Sequence, residues 1–176
     1  MKKHGLSLLI LILIYSCSKD INDIESPIQA DLSGIWTVAS YDFEANTSIF
    51  EIDEIALTNF TDFFGTAGTM SLTMVFSDSG EYSFNGFYFL SNEIYPNLGQ
   101  PSFFTDYHTV EEEGTWSLNG NKLDVIVDGE PRRIGISELT NSSLTLRINT
   151  GVSDIDENQT TTTTNTQERY VLVRQQ

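Results

Sequence analysis

Residues 69–90, TMSLTMVFSDSGEYSFNGFYFL, hold the pattern that decides the fold. Apolar side chains occupy every second position from Met70 to Phe76, which is the period of a half-buried β-strand. The turn signal Asp78-Ser79-Gly80 follows, and a second segment rich in aromatic residues begins at Glu81. Two such segments joined by a tight turn predict an antiparallel hairpin.

Other segments repeat this pattern along the chain. Residues 123–127 and 144–148 show the same two-residue alternation, and Asn119-Gly120 predicts a hairpin with a type I′ turn, whose two central residues need positive φ. We predict strands at 35–44, 49–57, 69–76, 81–90, 105–117, 122–128, 132–139, 143–150 and 168–174.

The number and spacing of these segments predict the architecture. No long stretch has a helical period, so the fold class is all-β. About eight or nine short strands joined by tight turns form a meander, which either closes into an up-and-down antiparallel β-barrel or folds into a sandwich. Closure is favoured because it removes exposed sheet edges.

Three stretches interrupt the predicted meander. Residues 58–68 are expected to form a short helix or a lid. Residues 91–104 contain Pro96, Gly99 and Pro101 and predict a long loop. Residues 151–166, which include five consecutive threonines, predict a polar hairpin loop without chemistry of its own.

The first residues of the chain have the order of a secretion signal. Lys2 and Lys3 precede the apolar stretch Leu6–Ile14, which only Ser7 interrupts. As a helix this stretch reaches about 14 Å, roughly half the hydrocarbon thickness of a bilayer, so it is too short to span a membrane. We therefore predict a signal peptide at 1–16, a flexible tether at 17–30 and one barrel domain at 31–176.

The run Ile14-Tyr15-Ser16-Cys17 resembles the lipobox of bacterial lipoproteins. Cys17 is the only cysteine of the chain, so no disulfide or thiolate metal cluster competes for it. The resemblance implies that Cys17 carries a covalent diacylglycerol and an N-acyl chain, and we expect no other cofactor. The alternative is a plain secretory signal followed by an incidental cysteine.

The expected location follows from the same motif. Two or more acyl chains anchor a protein firmly to a membrane. Ser18 after the cysteine resembles lipoproteins of the outer membrane. We therefore expect a lipid-anchored protein of the cell envelope at the outer membrane, with the periplasmic and surface faces both open.

The charge of the chain excludes one class of partner. The formal net charge is −16, and removal of Lys2 and Lys3 with the signal would make it −18. From Asp20 through Asn121 the sequence contains no Lys or Arg, against seventeen Asp and Glu. Such a surface repels nucleic acids and anionic headgroups, so membrane contact is expected through the acyl chains alone. The acidity indicates a solubilising surface, with specific cation capture as the alternative.

Four stretches together resemble the lipocalin-like domains of bacterial envelope lipoproteins. They are Leu32–Val38 with its Gly34-x-Trp36, Val75–Phe84, Gly114–Leu123 and Ile136–Leu146. The resemblance implies an up-and-down barrel in which Trp36 closes the base and a basic side chain from late in the chain stacks on it, a cation–π contact of about 0.5 to 2 kcal/mol. Arg169 and Arg174 are the candidates for that basic side chain.

Aromatic residues are concentrated between Tyr82 and Tyr107. Phe87-Tyr88-Phe89 places rings on both faces of one strand, so the outer face is either covered by the chain's own loops or exposed to a partner or an apolar ligand. An eight-stranded barrel can enclose one small ligand or be filled by its own side chains. Our candidate ligand-binding residues are Tyr82, Phe84, Phe87, Phe89, Phe103, Phe104, Tyr107 and Trp116.

Catalytic and metal chemistry have few residues available. Beyond the signal the chain has one histidine, His108, and an arrangement of Ser, His108 and Asp106 would lack a marked nucleophile, so we expect no enzyme. Residues 154–165 open like a calcium loop but have Gln159 where glycine and Asn165 where an acid is required. Glu111-Glu112-Glu113 is interpreted as a solvated strand rim, so no metal site is predicted.

Two functions are consistent with these features. The first is a membrane-tethered binding module whose barrel takes a small apolar ligand. The second is a filled barrel that serves an envelope assembly through its acidic or aromatic surface, with a protein partner still to be identified. A ligand-sized cavity in the barrel would favour the first.

Overall fold

A computed structural model describes residues 30–50, 59–155, 157 and 160–176. The predicted signal peptide, Cys17, and the predicted tether up to residue 29 lie outside the described residues, as do residues 51–57 of the second predicted strand. None of the described residues belongs to a helix long and apolar enough to cross a membrane.

The described residues form eight antiparallel strands in a closed barrel. Each strand pairs with the next along the chain, and β8 returns to pair with β1. This confirms the predicted all-β, up-and-down antiparallel barrel. The strands are β1 (Gly34–Phe50), β2 (Asn59–Phe76), β3 (Glu81–Pro96), β4 (Ser102–Asn119), β5 (Lys122–Val127), β6 (Glu130–Leu139), β7 (Ser143–Ile155) and β8 (Thr161–Arg174).

The predicted helix or lid is wrong and the two predicted loops are too long, because most of their described residues continue strands. Residues 59–68 belong to β2, residues 91–96 and 102–104 to β3 and β4, and residues 151–155 and 161–166 to β7 and β8. These extensions pair with neighbours over their full length, as in Thr66↔Ser91 and Val152↔Thr164. Pro96 is tolerated because it is the last residue of β3, where a missing backbone donor interrupts no ladder.

The hairpin predicted at Asn119-Gly120 is present, but its turn differs in type from the prediction. The loop between β4 and β5 is Gly120-Asn121, and of these only Gly120 has positive φ, at 63°. That φ pattern belongs to a type II′ turn, whose first central residue is glycine. The pattern of a type I′ turn, with both φ values positive, occurs instead at Asp128 (54°) and Gly129 (83°) between β5 and β6.

The core fills the end of the barrel at which β1 begins and β8 ends, which we call the base. Side chains buried almost completely there or just above are Leu32, Trp36, Leu72, Phe76, Leu123, Val125, Leu144, Leu146 and Leu172. They include most of the alternating apolar residues of β2, β5 and β7, so the predicted inward faces of these three strands are confirmed. The base is therefore packed solid.

The opposite end, which we call the upper half, is built differently because β5 and β6 are short. The β4–β5 ladder begins at Gly114↔Val127, and the β6–β7 ladder ends at Gly135↔Arg147. Above those pairs, residues 102–113 of β4 pair only with β3, and residues 148–155 of β7 pair only with β8. The upper half is thus a curved sheet with a lateral gap between β4 and β7.

Candidate functional site

A cavity of about 340 Å³ lies inside the barrel above the packed base. Most of its wall is apolar or aromatic, with a few polar groups. It is lined by Met74, Tyr82, Phe84, Val110, Glu112, Val125, Arg132, Ile134, Leu146, Ile148, Thr150, Glu168 and Tyr170. The Arg132 side chain is 52% exposed, so the cavity reaches solvent beside this residue, at the lower rim of the lateral gap.

Phe84 and Tyr170 of the wall belong to a connected cluster of rings that extends behind it. Tyr41 stacks on Tyr170 with ring centroids 4.4 Å apart, and Phe84 meets Tyr170 edge-on at 5.9 Å. Tyr88 meets Tyr41 edge-on at 5.4 Å. Because these residues come from β1, β3 and β8, ring packing holds three strands of the upper half together.

Glu168 is the polar centre of this cluster. Its Oε2 accepts hydrogen bonds from the hydroxyls of Tyr41 (3.2 Å) and Tyr170 (3.1 Å). Burial raises the pKa of both tyrosines, and the neighbouring carboxylate of Glu168 raises each further, so both hydroxyls stay protonated as donors. Among the described residues no side chain forms an ion pair with Glu168, and none donates a hydrogen bond to its Oε1.

A second carboxylate lies at the rim of the cavity and is paired. Arg132 Nη1 of β6 lies 2.7 Å from Glu112 Oε1 of β4. The hydrogen bond to Glu112 raises the pKa of Arg132, while burial, followed by the charge of Glu112, raises the pKa of Tyr82. The pair joins β4 to β6 just above Gly114↔Val127, which is the uppermost pair of the β4–β5 ladder. It therefore narrows the lateral gap from below.

His108 packs beside the aromatic cluster and makes no hydrogen bond to Asp106. Its ring stacks on Tyr88 with centroids 4.9 Å apart, and its Nε2 is buried with no hydrogen-bond partner among the described residues. Asp106 Oδ2 instead accepts a hydrogen bond from Asn92 Nδ2 at 3.1 Å. The described residues therefore contain no His108–Asp106 hydrogen bond of the triad kind.

The structure separates the eight candidate ligand-binding residues. Tyr82 and Phe84 line the cavity. The outer face of β3 and β4 carries four of the other candidates, at positions that alternate with the inward-facing residues: Phe87, Phe89, Phe103 and Tyr107. Of these, Phe103 is 65% and Tyr107 58% exposed. A bulge would be needed to bring them inside, and the β3–β4 register runs without a shift.

The remaining two candidates also lie away from the cavity wall. Phe104 has the inward parity but is 45% exposed, since β4 has no partner on its other side at this height. Trp116 is half-buried, meets Phe76 edge-on at 5.6 Å and donates its indole N–H to the carbonyl of Ser77 at 3.0 Å. Its packing is with the base.

At the base, the structure distinguishes the two arginine candidates for the contact with Trp36. Trp36 is completely buried and donates its indole N–H to the carbonyl of Leu32 at 2.9 Å. The Arg174 guanidinium lies 4.3 Å above the Trp36 ring and donates to the carbonyls of Asp31, Ser33 and Asn141. Assigning Arg169 there is a correction: it has the outward parity of β8 and pairs with Asp42, with Nη2 3.0 Å from Oδ2.

Several cavity residues were not predicted from the sequence. Glu168 lies in the predicted strand 168–174 and shares the inward parity of β8 with Tyr170 and Leu172. The inward face of this strand cannot be read from the sequence, because Val171 and Val173 place apolar side chains at the alternate positions as well. The sequence places Ile148 in the alternating segment 144–148 and Val110 in the predicted strand 105–117, but it does not mark them as cavity residues, because the cavity depends on where the short strands β5 and β6 end.

Metal ligands do not converge in the part of the chain that the structure describes. No group of three or more His, Cys, Asp or Glu is arranged there to hold a metal ion. In the triplet 111–113, Glu112 faces the cavity rim, while Glu111 and Glu113 lie on the outer face. Asp154 is a residue of β7, and Asp156 and Asn158 lie outside the described residues.

The outer face of β2, β3 and β4 carries exposed rings in two groups. Near the upper end, Tyr95 contacts both Phe64 and Phe103, with ring centroids 5.9 Å and 6.2 Å apart. Phe87, Phe89 and Tyr107 form the second group, in which Phe89 and Tyr107 are 5.1 Å apart. We call these six residues the outer aromatic surface. It borders the free edge of β4.

Comparisons with known proteins identify no family. No protein-family model matches the chain, and no curated protein matches its sequence. A polyisoprenoid-binding domain from Saccharophagus degradans, implicated in plant cell wall breakdown, is 9% identical over 80% of this chain and 98% of that one, with a TM-score of 0.29.

A second similar structure is Ail, the attachment invasion locus protein of Yersinia pestis, in complex with the heparin analogue sucrose octasulfate. It is 7% identical over 80% of this chain and 99% of that one, with a TM-score of 0.23. At these TM-scores neither structure is used to infer fold or function, and the barrel assignment rests on the strand pairing described above.

Proposed function

We propose that this chain is a lipid-anchored binding protein of the bacterial envelope, and that its barrel takes a small apolar ligand in the interior cavity. The observation that carries the proposal is the cavity itself. If the barrel were only a structural body, side chains could fill its upper half as tightly as its base. Instead, about 340 Å³ is unfilled between Phe84, Val110, Ile148 and Tyr170.

The size and lining of the cavity match a small ligand. Ligand sites commonly enclose about 300 to 1,000 Å³ with mostly apolar walls and a few polar groups that fix orientation. Burying apolar ligand surface contributes about 25 cal/mol per Å². The lateral gap beside Arg132 supplies a path for entry. We propose no catalytic step.

The proposed anchor rests on the sequence. Cys17 directly follows an apolar run too short to span a bilayer, and it is the only thiol of the chain. An anchored barrel would hold its cavity close to the membrane, where apolar molecules concentrate. The outer membrane is the location that Ser18 favours.

A cavity-filling substitution tests the proposal. Val110→Trp adds a large side chain to the cavity wall, whereas Thr109→Trp adds the same side chain one residue earlier, on the outer face of the same strand. Binding of the neutral fluorescent probe N-phenyl-1-naphthylamine would be titrated against both variants and the unaltered protein. The unaltered protein and both variants have the same N-terminus, so probe uptake by the acyl chains contributes equally to the three titrations.

We expect saturable binding by the unaltered protein and by Thr109→Trp, and at least a tenfold loss of affinity in Val110→Trp, about 1.4 kcal/mol. Circular dichroism would establish that both variants fold. Equal binding by the two variants would contradict the cavity as the binding site.

The outer aromatic surface favours a second candidate function, contact with a protein partner. Six exposed rings beside a free strand edge exceed the scattered apolar residues of an ordinary surface. A photo-crosslinking residue at Tyr107 would be compared with one at Gln167, which is exposed on β8. A discrete crosslinked protein from position 107 alone would support this function, and identical patterns from both positions would contradict it.

A further inference from the structure

We infer that the ligand of the interior cavity carries a protonated amine, which binds Glu168 among the rings of Phe84, Tyr170 and Tyr41. This inference rests on the proposed function, since it names the ligand class of the same cavity. It follows from three properties of the site: an unpaired carboxylate, the surrounding aromatic rings, and the charge balance of the wall.

One oxygen of the Glu168 carboxylate, Oε1, accepts no hydrogen bond from a described side chain. Both tyrosine hydroxyls donate to Oε2 of Glu168, and no described side chain donates to Oε1. Because a carboxylate has about four acceptor positions, two donors leave half of them open. A structural role limited to orienting Tyr41 and Tyr170 would need only Oε2, so Oε1 is the atom available to a ligand donor.

The rings around Glu168 suit an organic cation. Phe84 and Tyr170 line the same cavity as Glu168, and Tyr41 stacks on Tyr170 at 4.4 Å. Aromatic faces attract ammonium groups, most strongly where water is excluded. A neutral alcohol would gain the hydrogen bond to Oε1 but little of this attraction.

The charge balance of the cavity wall also favours a cation. The wall contains two carboxylates, Glu112 and Glu168, and one guanidinium, Arg132, which is already paired with Glu112 at 2.7 Å. The unpaired charge in the wall is therefore negative. A ligand carboxylate would have to separate Arg132 from Glu112 while it enters the field of Glu168, so anionic ligands are disfavoured.

Three ligands with one alkyl chain and different head groups test this inference. Octylamine, 1-octanol and octanoate would each displace N-phenyl-1-naphthylamine from the purified protein at pH 7. We expect octylamine to bind about tenfold or more tightly than 1-octanol, because its ammonium adds ion-pair and cation–π attraction to the hydrogen bond that the alcohol also makes to Oε1. We expect octanoate to bind most weakly, because Glu168 repels its carboxylate. This comparison needs no variant, so it does not depend on whether a variant folds.

Two variants with the same change in net charge locate the effect. Glu168→Gln removes the cavity carboxylate, and Glu44→Gln removes an exposed carboxylate on the outer face of β1. We expect Glu168→Gln to lose the preference for octylamine and Glu44→Gln to keep it. If the preference survives in a folded Glu168→Gln protein, or falls equally in both variants, the inference is overturned.

The outcomes also separate this inference from the proposed function. If octanol and octylamine compete equally for the cavity, the amine inference fails while the proposed function stands. If no ligand displaces the probe, or the probe does not bind, the proposed function fails as well.

Discussion

Both defined residues of the motif Gly34-x-Trp36 contribute to closing the base of the barrel. Gly34 has φ +133°, which side chains rarely adopt, and a Cβ atom there would lie 2.6 Å from Nη1 of Arg174. Trp36 fills the space below that guanidinium. The sequence alone could predict the tryptophan plug, but it could not choose between Arg169 and Arg174, because the choice depends on the parity of β8 and hence on its exact register with β1.

Removing the Trp36 ring tests this description of the base. Trp36→Ala deletes a completely buried ring together with its hydrogen bond to Leu32 and its contact with Arg174, so we expect a loss of about 3 to 5 kcal/mol in the free energy of unfolding. Urea denaturation measures it. Trp116→Phe, which changes a half-buried ring, is the control and should lose clearly less. An unchanged unfolding midpoint in Trp36→Ala would show that the ring does not close the base.

At the scale of the elements, the sequence predicted the lower half of the barrel well and the upper half badly. Strands β5 and β7 alternate cleanly near the base because one face meets the core and the other meets water. In the upper half that contrast is lost. Phe87 and Phe89 put rings on the outer face of β3, and threonines occupy both faces of β8, so a two-residue period cannot be read there.

The free edge of β4 leads to a prediction about backbone protection. Residues 102–113 pair only with β3, so alternate amides point away from the sheet, whereas Gly114 and Thr115 pair on both sides. We expect the outward-pointing amides of 103–113 to exchange with solvent at least about a hundredfold faster than the intervening amides of the same segment, which point towards β3, and than those of Gly114 and Thr115. Hydrogen exchange followed by NMR measures this difference. Uniform protection along β4 would mean that another segment or a partner covers the edge.

For the whole molecule, the all-β barrel was predictable and the cavity was not. Alternation and turn spacing are local signals, but a cavity arises where two short strands, β5 and β6, leave neighbours unpaired, and strand length depends on pairing across the barrel. The same limit explains why the sequence alone cannot divide the aromatic stretch 82–107 into two surfaces. The structure divides it between an inner wall and an outer surface.

The proposed anchor is tested separately from the barrel. Cys17→Ala removes the only thiol that could accept diacylglycerol, so we expect an unprocessed or unacylated chain that no longer incorporates labelled palmitate in a bacterial host. Ser18→Ala, one residue later, should be labelled like the unaltered chain. Labelling that persists in Cys17→Ala would contradict the anchor at this residue.

We propose that the inside of the barrel, and not its aromatic outer surface, binds a small apolar ligand. Intermolecular nuclear Overhauser effects between unlabelled 1-octanol and the isotope-labelled protein test this proposal most directly, because they report contacts within about 5 Å. We predict contacts from the octyl chain to Phe84, Val110, Ile148 and Tyr170, which line the cavity. Contacts confined to Phe87, Phe89 and Tyr107 on the outer face would contradict it.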